Sequence, residues 1–127
     1  VLMKEQLIIA NMKELLQLIK SQYELSRSIV CNTTDGNKNI DNYTFENDIK
    51  PFVEKYDHKL EDFVHFLRDN QQNIPTIHDG QIQMMIDHYN SISVECFDGH
   101  KSKVQFMNKY NFIKSIVNKV EYELLQE

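Results

Sequence analysis

The sequence predicts an all-α protein, an up-down-up-down antiparallel four-helix bundle with a proline-kinked second helix, and three observations carry the prediction. Four segments repeat apolar residues at spacings of three and four, the period of a helix that buries one face. No segment shows the two-residue alternation of a half-buried strand. The segments come to roughly 22 to 28 residues each, some 33 to 42 Å at about 1.5 Å per residue, and matched lengths joined by short connections favour antiparallel neighbours.

The first segment, residues 2 to 30, carries Ile8, Met12, Leu15, Ile19, Tyr23 and Val30 on one stripe with Lys, Glu, Gln and Asn between them. It ends at "CNTTDGN", a cluster of turn formers without periodicity. The second stripe runs Phe45, Ile49, Phe52, Tyr56, Leu60, Phe63 and Leu67, widened by Val53, Val64 and Phe66. Pro51 interrupts it: in a helix begun at Thr44 its ring would press on the carbonyl of Asn47, at a cost of about 3 kcal/mol in a regular interior. A regular start near Asp48 would place Pro51 in the first turn, where amide hydrogens have no intrahelical partner. Because the apolar phase holds across the proline, a single kinked element is expected.

"NQQNIPT" closes the second helix, and Thr76 with Asp79 three residues on is the expected cap of the third. Ile82, Met85, Tyr89, Ile92 and Cys96 line one face, and Asp98-Gly99 supplies an expected left-handed stop. Ser102 and Gln105 stand in capping-box spacing ahead of the cleanest stripe, Phe106, Tyr110, Ile113, Val117, Val120 and Leu124.

A chain of 127 residues with 41% hydrophobic and 26% charged residues, three glycines and two prolines has the size and balance of a single globular domain over residues 1–127. The net charge of -5 argues against a surface that tracks phosphates, so nucleic acid is not an expected partner. No apolar run approaches the roughly 18 to 20 residues that span a bilayer, and "VLMKEQLIIANMKELL" is broken by Lys4, Glu5, Asn11, Lys13 and Glu14. It reads as a soluble helix rather than an export signal. The expected location is therefore the cytoplasm, with Cys31 and Cys96 as free thiols and the acceptor patterns at Asn32 and Asn42 unused.

"TTDGNKNIDNYTFE", residues 33–46, resembles a calcium loop at first sight. In one register Asp35, Asn37 and Asp41 take ligand positions, but Lys38 falls where the turn demands glycine and Thr44 where a bidentate carboxylate is needed. Sliding by two residues restores carboxylates at Asp35 and Glu46 and puts Ile40 at the glycine position. A polar surface loop is the better reading.

Other chemistry finds little foothold. Asp62 and His65, Glu54 and His58, and Glu61 and His65 are spaced like metal ligands, but all lie on one helix without a counterpart, as solvent-facing pairs do. Neither cysteine sits in a Cys-x-x-Cys spacing; Cys96 reads as a small core residue and Cys31 as the more exposed thiol. His78 beside Asp79 and His88 beside Asp87 point about 100° apart and do not form dyads. No catalytic, cofactor-binding or metal-ligating residue is assigned, and no cofactor is expected. Met84, Ile77 and the outer edge of Phe66 read as an ordinary wide core stripe, with a second apolar patch for a partner as the alternative, and Met85 belongs to the core.

"NYTFENDIKPFVEKYD", the proline in "IPTIHDGQI", "VECF" and "KVQFMNKYNFIKSIV" together resemble the YppE-like family of small uncharacterised all-helical proteins from Gram-positive (Bacillus/Staphylococcus-type) bacteria, over roughly residues 43–125. The resemblance implies a compact helical bundle of the bacterial cytoplasm with proline in its second helix, and it carries over no catalytic or binding residue. The functional expectation is a noncatalytic protein-interaction module, self-associating or partner-binding. The alternatives are a small-ligand receptor or enzyme drawing on Tyr23, Tyr56, Tyr89 and Tyr110 in an inter-helix pocket, and, more remotely, calcium capture by the first loop.

Overall fold

The computed structural model describes residues 3–31 and 43–125. It contains helices α1 (Met3–Cys31), α2 (Lys50–Asp69), α3 (Asp79–Glu95) and α4 (Lys103–Leu125), with a π-helical turn at Phe45–Ile49 leading into α2. No strand occurs among the described residues. The loop weighed for calcium, the glycosylation patterns and the Cys31 side chain lie wholly or largely outside the described residues.

Each helix packs on its sequence neighbour and α1 closes the ring against α4, with α1·α2 and α3·α4 the most extensive pairs. Direction follows from contacts between opposite ends. Lys13 near the start of α1 pairs with Glu121 near the end of α4 at 2.5 Å, and Tyr23 reaches Lys101 just before α4. Thr76, ahead of α3, donates to Glu123 at the end of α4 at 2.6 Å. The bundle is therefore all-helical and antiparallel, as the patterning predicts.

One core draws on every helix: Met12, Leu15, Ile19 and Tyr23 from α1, Leu60, Phe63 and Leu67 from α2, Ile82, Met85, Tyr89 and Ile92 from α3, and Phe106, Tyr110, Ile113, Val117 and Val120 from α4. Tyr23 and Phe106 stack at 4.0 Å between ring centroids, joining α1 to α4 face to face. The α1 stripe is wider than expected, since Ile9 and Leu16 are also buried, while Ile8 and Val30 sit at its margin.

At the second helix the structure shows a change of hydrogen-bond pattern. Ile49 N–H reaches Thr44 C=O at 3.2 Å and Lys50 N–H reaches Phe45 C=O, both five residues back. Thr44 caps this turn, its hydroxyl accepting from Asn47 N–H while Asp48 accepts from Thr44 N–H. Regular α geometry begins at Lys50, so Pro51 lies in the first α-helical turn, directly after the π turn. The extra residue in a π turn shifts the apolar phase upstream of the proline. Phe45, expected on the core stripe, is accordingly 59% exposed, and Ile49, Phe52 and Tyr56 are only half-buried.

Two expected helix signals are corrected. Thr76 does not cap α3; the helix starts two residues later at His78, whose N–H donates to Gln81 Oε1 at 2.8 Å. The delay follows from Ile74 and Ile77, which the connection tucks into the core, and Ile77 with Ile82 has the spacing of a hydrophobic staple about that cap. Gly99 takes no left-handed conformation, and α3 ends earlier, with Cys96 in right-handed helical geometry. Glycine is required there because α1 comes too close: a Cβ would meet the Ser26 carbonyl oxygen at 2.2 Å. Ser102 does cap α4 as expected, accepting from Gln105 N–H at 3.3 Å.

Candidate functional site

The residues singled out for metal or acid-base chemistry stay apart. Glu54, His58, Glu61, Asp62 and His65 are exposed along α2, and among the described residues no three of His, Cys, Asp and Glu gather as a metal site. His78 serves as a helix cap and Asp79 accepts from Gln71 at 2.8 Å. The His88 ring stands edge-on to Phe112 at 5.1 Å, and Asp87 accepts from Gln83.

The four tyrosines are divided among separate tasks. Tyr23 donates to the Lys101 carbonyl at 2.5 Å. Tyr56 packs on Phe52, with the ammonium groups of Lys55 and Lys59 over its ring at 5.3 and 5.6 Å. Tyr110 borders a groove of about 280 Å³ with Lys13, Gln17 and Lys114. Tyr89 is wholly buried and its hydroxyl finds no hydrogen-bond partner among the described residues. Burial first, then the nearby Asp57 carboxyl and Cys96 thiol, push that hydroxyl well above the usual tyrosine range. Asp57, itself raised by burial and by Glu61, faces a groove of about 310 Å³ between α2 and α3.

Two polar devices were not foreseen from the sequence. The end of α1 grips the α3–α4 connection: Ser26 Oγ donates to the Cys96 carbonyl at 2.8 Å, Arg27 to the Gly99 carbonyl at 3.2 Å, and Tyr23 to Lys101. Lys109 on α4 pairs with Glu95 on α3 at 2.7 Å and with Ser91 Oγ at 2.8 Å, and Ser91 donates to the same carboxylate. Burial alone would raise the Glu95 carboxyl, but the hydrogen bonds from Lys109 and Ser91 and the charges of Lys109 and Lys101 hold it below its ordinary value. These groups satisfy one another and fasten helices together. Cys96 is buried, and burial pushes its thiol up to about 12, so it is an inert core residue.

The surface is where unspent apolar groups lie. Ile77 and Phe66 are 4% and 6% exposed, so they belong to the wide core stripe expected of them, and the alternative patch with the exposed Met84 does not form. A row on α1 replaces it. Leu7, Leu18 and Leu25 are 60%, 38% and 54% exposed. Spaced eleven and seven residues apart, they fall on one line along α1, roughly 140° around the helix from its core stripe at about 100° per residue. That spacing was legible in the sequence as a second leucine period out of phase with the first.

Leu7 also borders a groove of about 590 Å³ where the start of α1 meets the end of α2, lined by Ile8 and Phe66 and by charged or polar groups of both kinds, Lys4, Glu5, Asp62 and His65 among them. No helix among the described residues is long and apolar enough to cross a membrane. Residues 12–124 match the model of a bacterial domain of unknown function, DUF1798. Neither the curated proteins nor the solved structures give a match.

Proposed function

Since the chain belongs to the bacterial DUF1798 family, whose function is unknown, we propose that it is a noncatalytic helical bundle that acts through protein contacts, with the outer face of α1 as its contact surface. The observation that carries this is the leucine row: three large apolar side chains in line on the solvent side of a helix whose core stripe is already complete. The part of each leucine left in water contributes nothing within the bundle, and gains only when another surface covers it. The rest of the reading accompanies it: a YppE-like protein of a Gram-positive cytoplasm, one domain over residues 1–127, bent at the proline-bearing second helix.

A photo-crosslinking residue placed at Leu18 in bacterial cells tests the reading. Discrete protein adducts are expected from position 18 and none from the exposed position Gln83 on α3. Absence of adducts from both, or equal adducts from both, would count against α1 as a contact surface.

A second reading, small-ligand binding between α2 and α3, is favoured by one observation, the Tyr89 hydroxyl, without a partner among the described residues and close to the groove that Asp57 and Asn90 line. A thermal-shift screen of small polar metabolites tests it. Stabilisation that disappears in Tyr89→Phe would favour a ligand at this place.

A further inference from the structure

We propose that the groove between α2 and α3 binds an elongated zwitterion, its ammonium end held by Asp57 and Glu61, its carboxylate end by Arg68 and its apolar middle on Leu60, Val64 and Ile86. This rests on the small-ligand reading above and names the ligand's chemistry.

Asp57, Leu60, Glu61, Val64 and Arg68 follow one another along α2 at steps of three, one, three and four, so they share one face of the helix. On that face the groove is sorted by charge. Both carboxylates stand at one end, and the guanidinium belongs to a residue seven places beyond Glu61, roughly 10 Å along the axis. Leu60 and Val64, both buried, lie between them, and Ile86 lines the groove from α3. The volume of about 310 Å³ falls at the lower end of small-ligand sites, which run from about 300 to 1,000 Å³.

These charges stay open where others in the bundle are closed. Lys109 takes Glu95 and Lys13 takes Glu121, but the side chains of Asp57, Glu61 and Arg68 form no ion pair or hydrogen bond among the described residues. The lysines nearest to Asp57 in sequence, Lys55 and Lys59, lie over the Tyr56 ring at 5.3 and 5.6 Å. Asp57 is half-buried one turn before Glu61, and burial first, then that second carboxylate, raise it above its ordinary value. A cation between the two removes their repulsion. An ammonium brings three N–H donors to this end, where the Asn90 amide also lines the groove and the Tyr89 hydroxyl, without a partner among the described residues, lies close to Asp57. At the other end Arg68 offers the planar fork that matches a carboxylate. A plain amine leaves that fork unused, whereas a molecule with opposite charges about 10 Å apart answers both ends. The extended tripeptide Leu-Ala-Leu has this span at about 3.5 Å per residue, and 8-aminooctanoate offers the same charges without peptide groups. Because Glu61 and Arg68 are exposed, screening keeps the affinity low, with a Kd on the order of 1 mM.

Isothermal titration calorimetry of the full chain with Leu-Ala-Leu and with 8-aminooctanoate reads the site. Binding is expected, and for the tripeptide N-acetylation and C-amidation should each weaken it about fivefold. Glu61→Gln should erase most of the first loss and Arg68→Gln most of the second. Both positions are exposed, so the variants keep their fold, which circular dichroism checks. Which of the two probes binds, or both, assigns the site to peptides, to ω-amino acids or to the charge spacing alone. Binding indifferent to both end modifications, or to both substitutions, overturns the proposal. Absence of heat from either probe up to about 10 mM overturns it as well. The thermal-shift screen then separates the two readings: a metabolite of another class that acts through Tyr89 leaves the small-ligand reading standing, and a screen without stabilisation removes both.

Discussion

At the residue scale, the chain separates positions whose chemistry is spent inside the bundle from those that are not. Tyr89 buries a hydroxyl without a partner among the described residues, a destabilising arrangement because a buried polar group has lost its bonds to water. Tyr89→Phe is therefore expected to be neutral or to stabilise by about 1 kcal/mol in urea unfolding; a clear loss would reveal a bond to water or ligand at the hydroxyl. Gly80 inside α3 and Gly99 beyond its end make opposite predictions. At Gly99 an added methyl would collide with the Ser26 carbonyl, and since that obstacle is backbone, the α3–α4 connection must shift, so Gly99→Ala should cost about 2 to 3 kcal/mol. At Gly80, in the first turn of α3, a Cβ meets nothing within 4 Å, and Gly80→Ala should stabilise by about 0.5 to 1 kcal/mol. Thermal melts of the pair, moving in opposite directions, check this. Gly99 reads as a helix stop in the sequence, because the close approach of α1 is made by a segment far away in the chain.

At the element scale, Pro51 shows how local pattern and tertiary context divide the work. A proline within a continuous α-helix would cost about 3 kcal/mol, so its removal should stabilise by a comparable amount. With the π turn ahead of it and Pro51 in the first turn of α2, Pro51→Ala is expected to change stability by less than about 1 kcal/mol. A gain near 3 kcal/mol in urea unfolding would show that the proline strains a helix running through it. The α3–α4 pair carries a pH signature. The Glu95 carboxyl sits below its ordinary value in the fold, so its contribution to stability is complete above that value and is lost as pH falls through the folded one. Lys109→Met should cost about 1 to 2 kcal/mol near neutrality, and the gap from wild type should narrow as pH drops below the ordinary carboxylate range. A gap that stays constant down to pH values of about 3 would mean that the pair contributes nothing through charge.

At the scale of the whole molecule, one core draws residues from all four helices and from the α2–α3 connection, so no helix can leave without opening the apolar surface of the others. Unfolding is expected to be a single transition, with helical circular dichroism and tyrosine fluorescence coincident across urea concentrations; separated midpoints would show a sub-bundle able to stand alone. The helical periodicity, the core residues of α3, most of those of α4 and the Ser102 cap were determined by the sequence alone, since they depend on neighbours three or four places away along one helix; Ile116 is buried beyond the expected stripe and Leu124 only partly buried. Tertiary structure decided the burial of Ile74 and Ile77, the exposure of Phe45, the grip of Ser26 and Arg27 on the α3–α4 connection and the need for glycine at residue 99. Each depends on how closely a distant segment approaches, and that distance is set by packing among helices that local spacing cannot see.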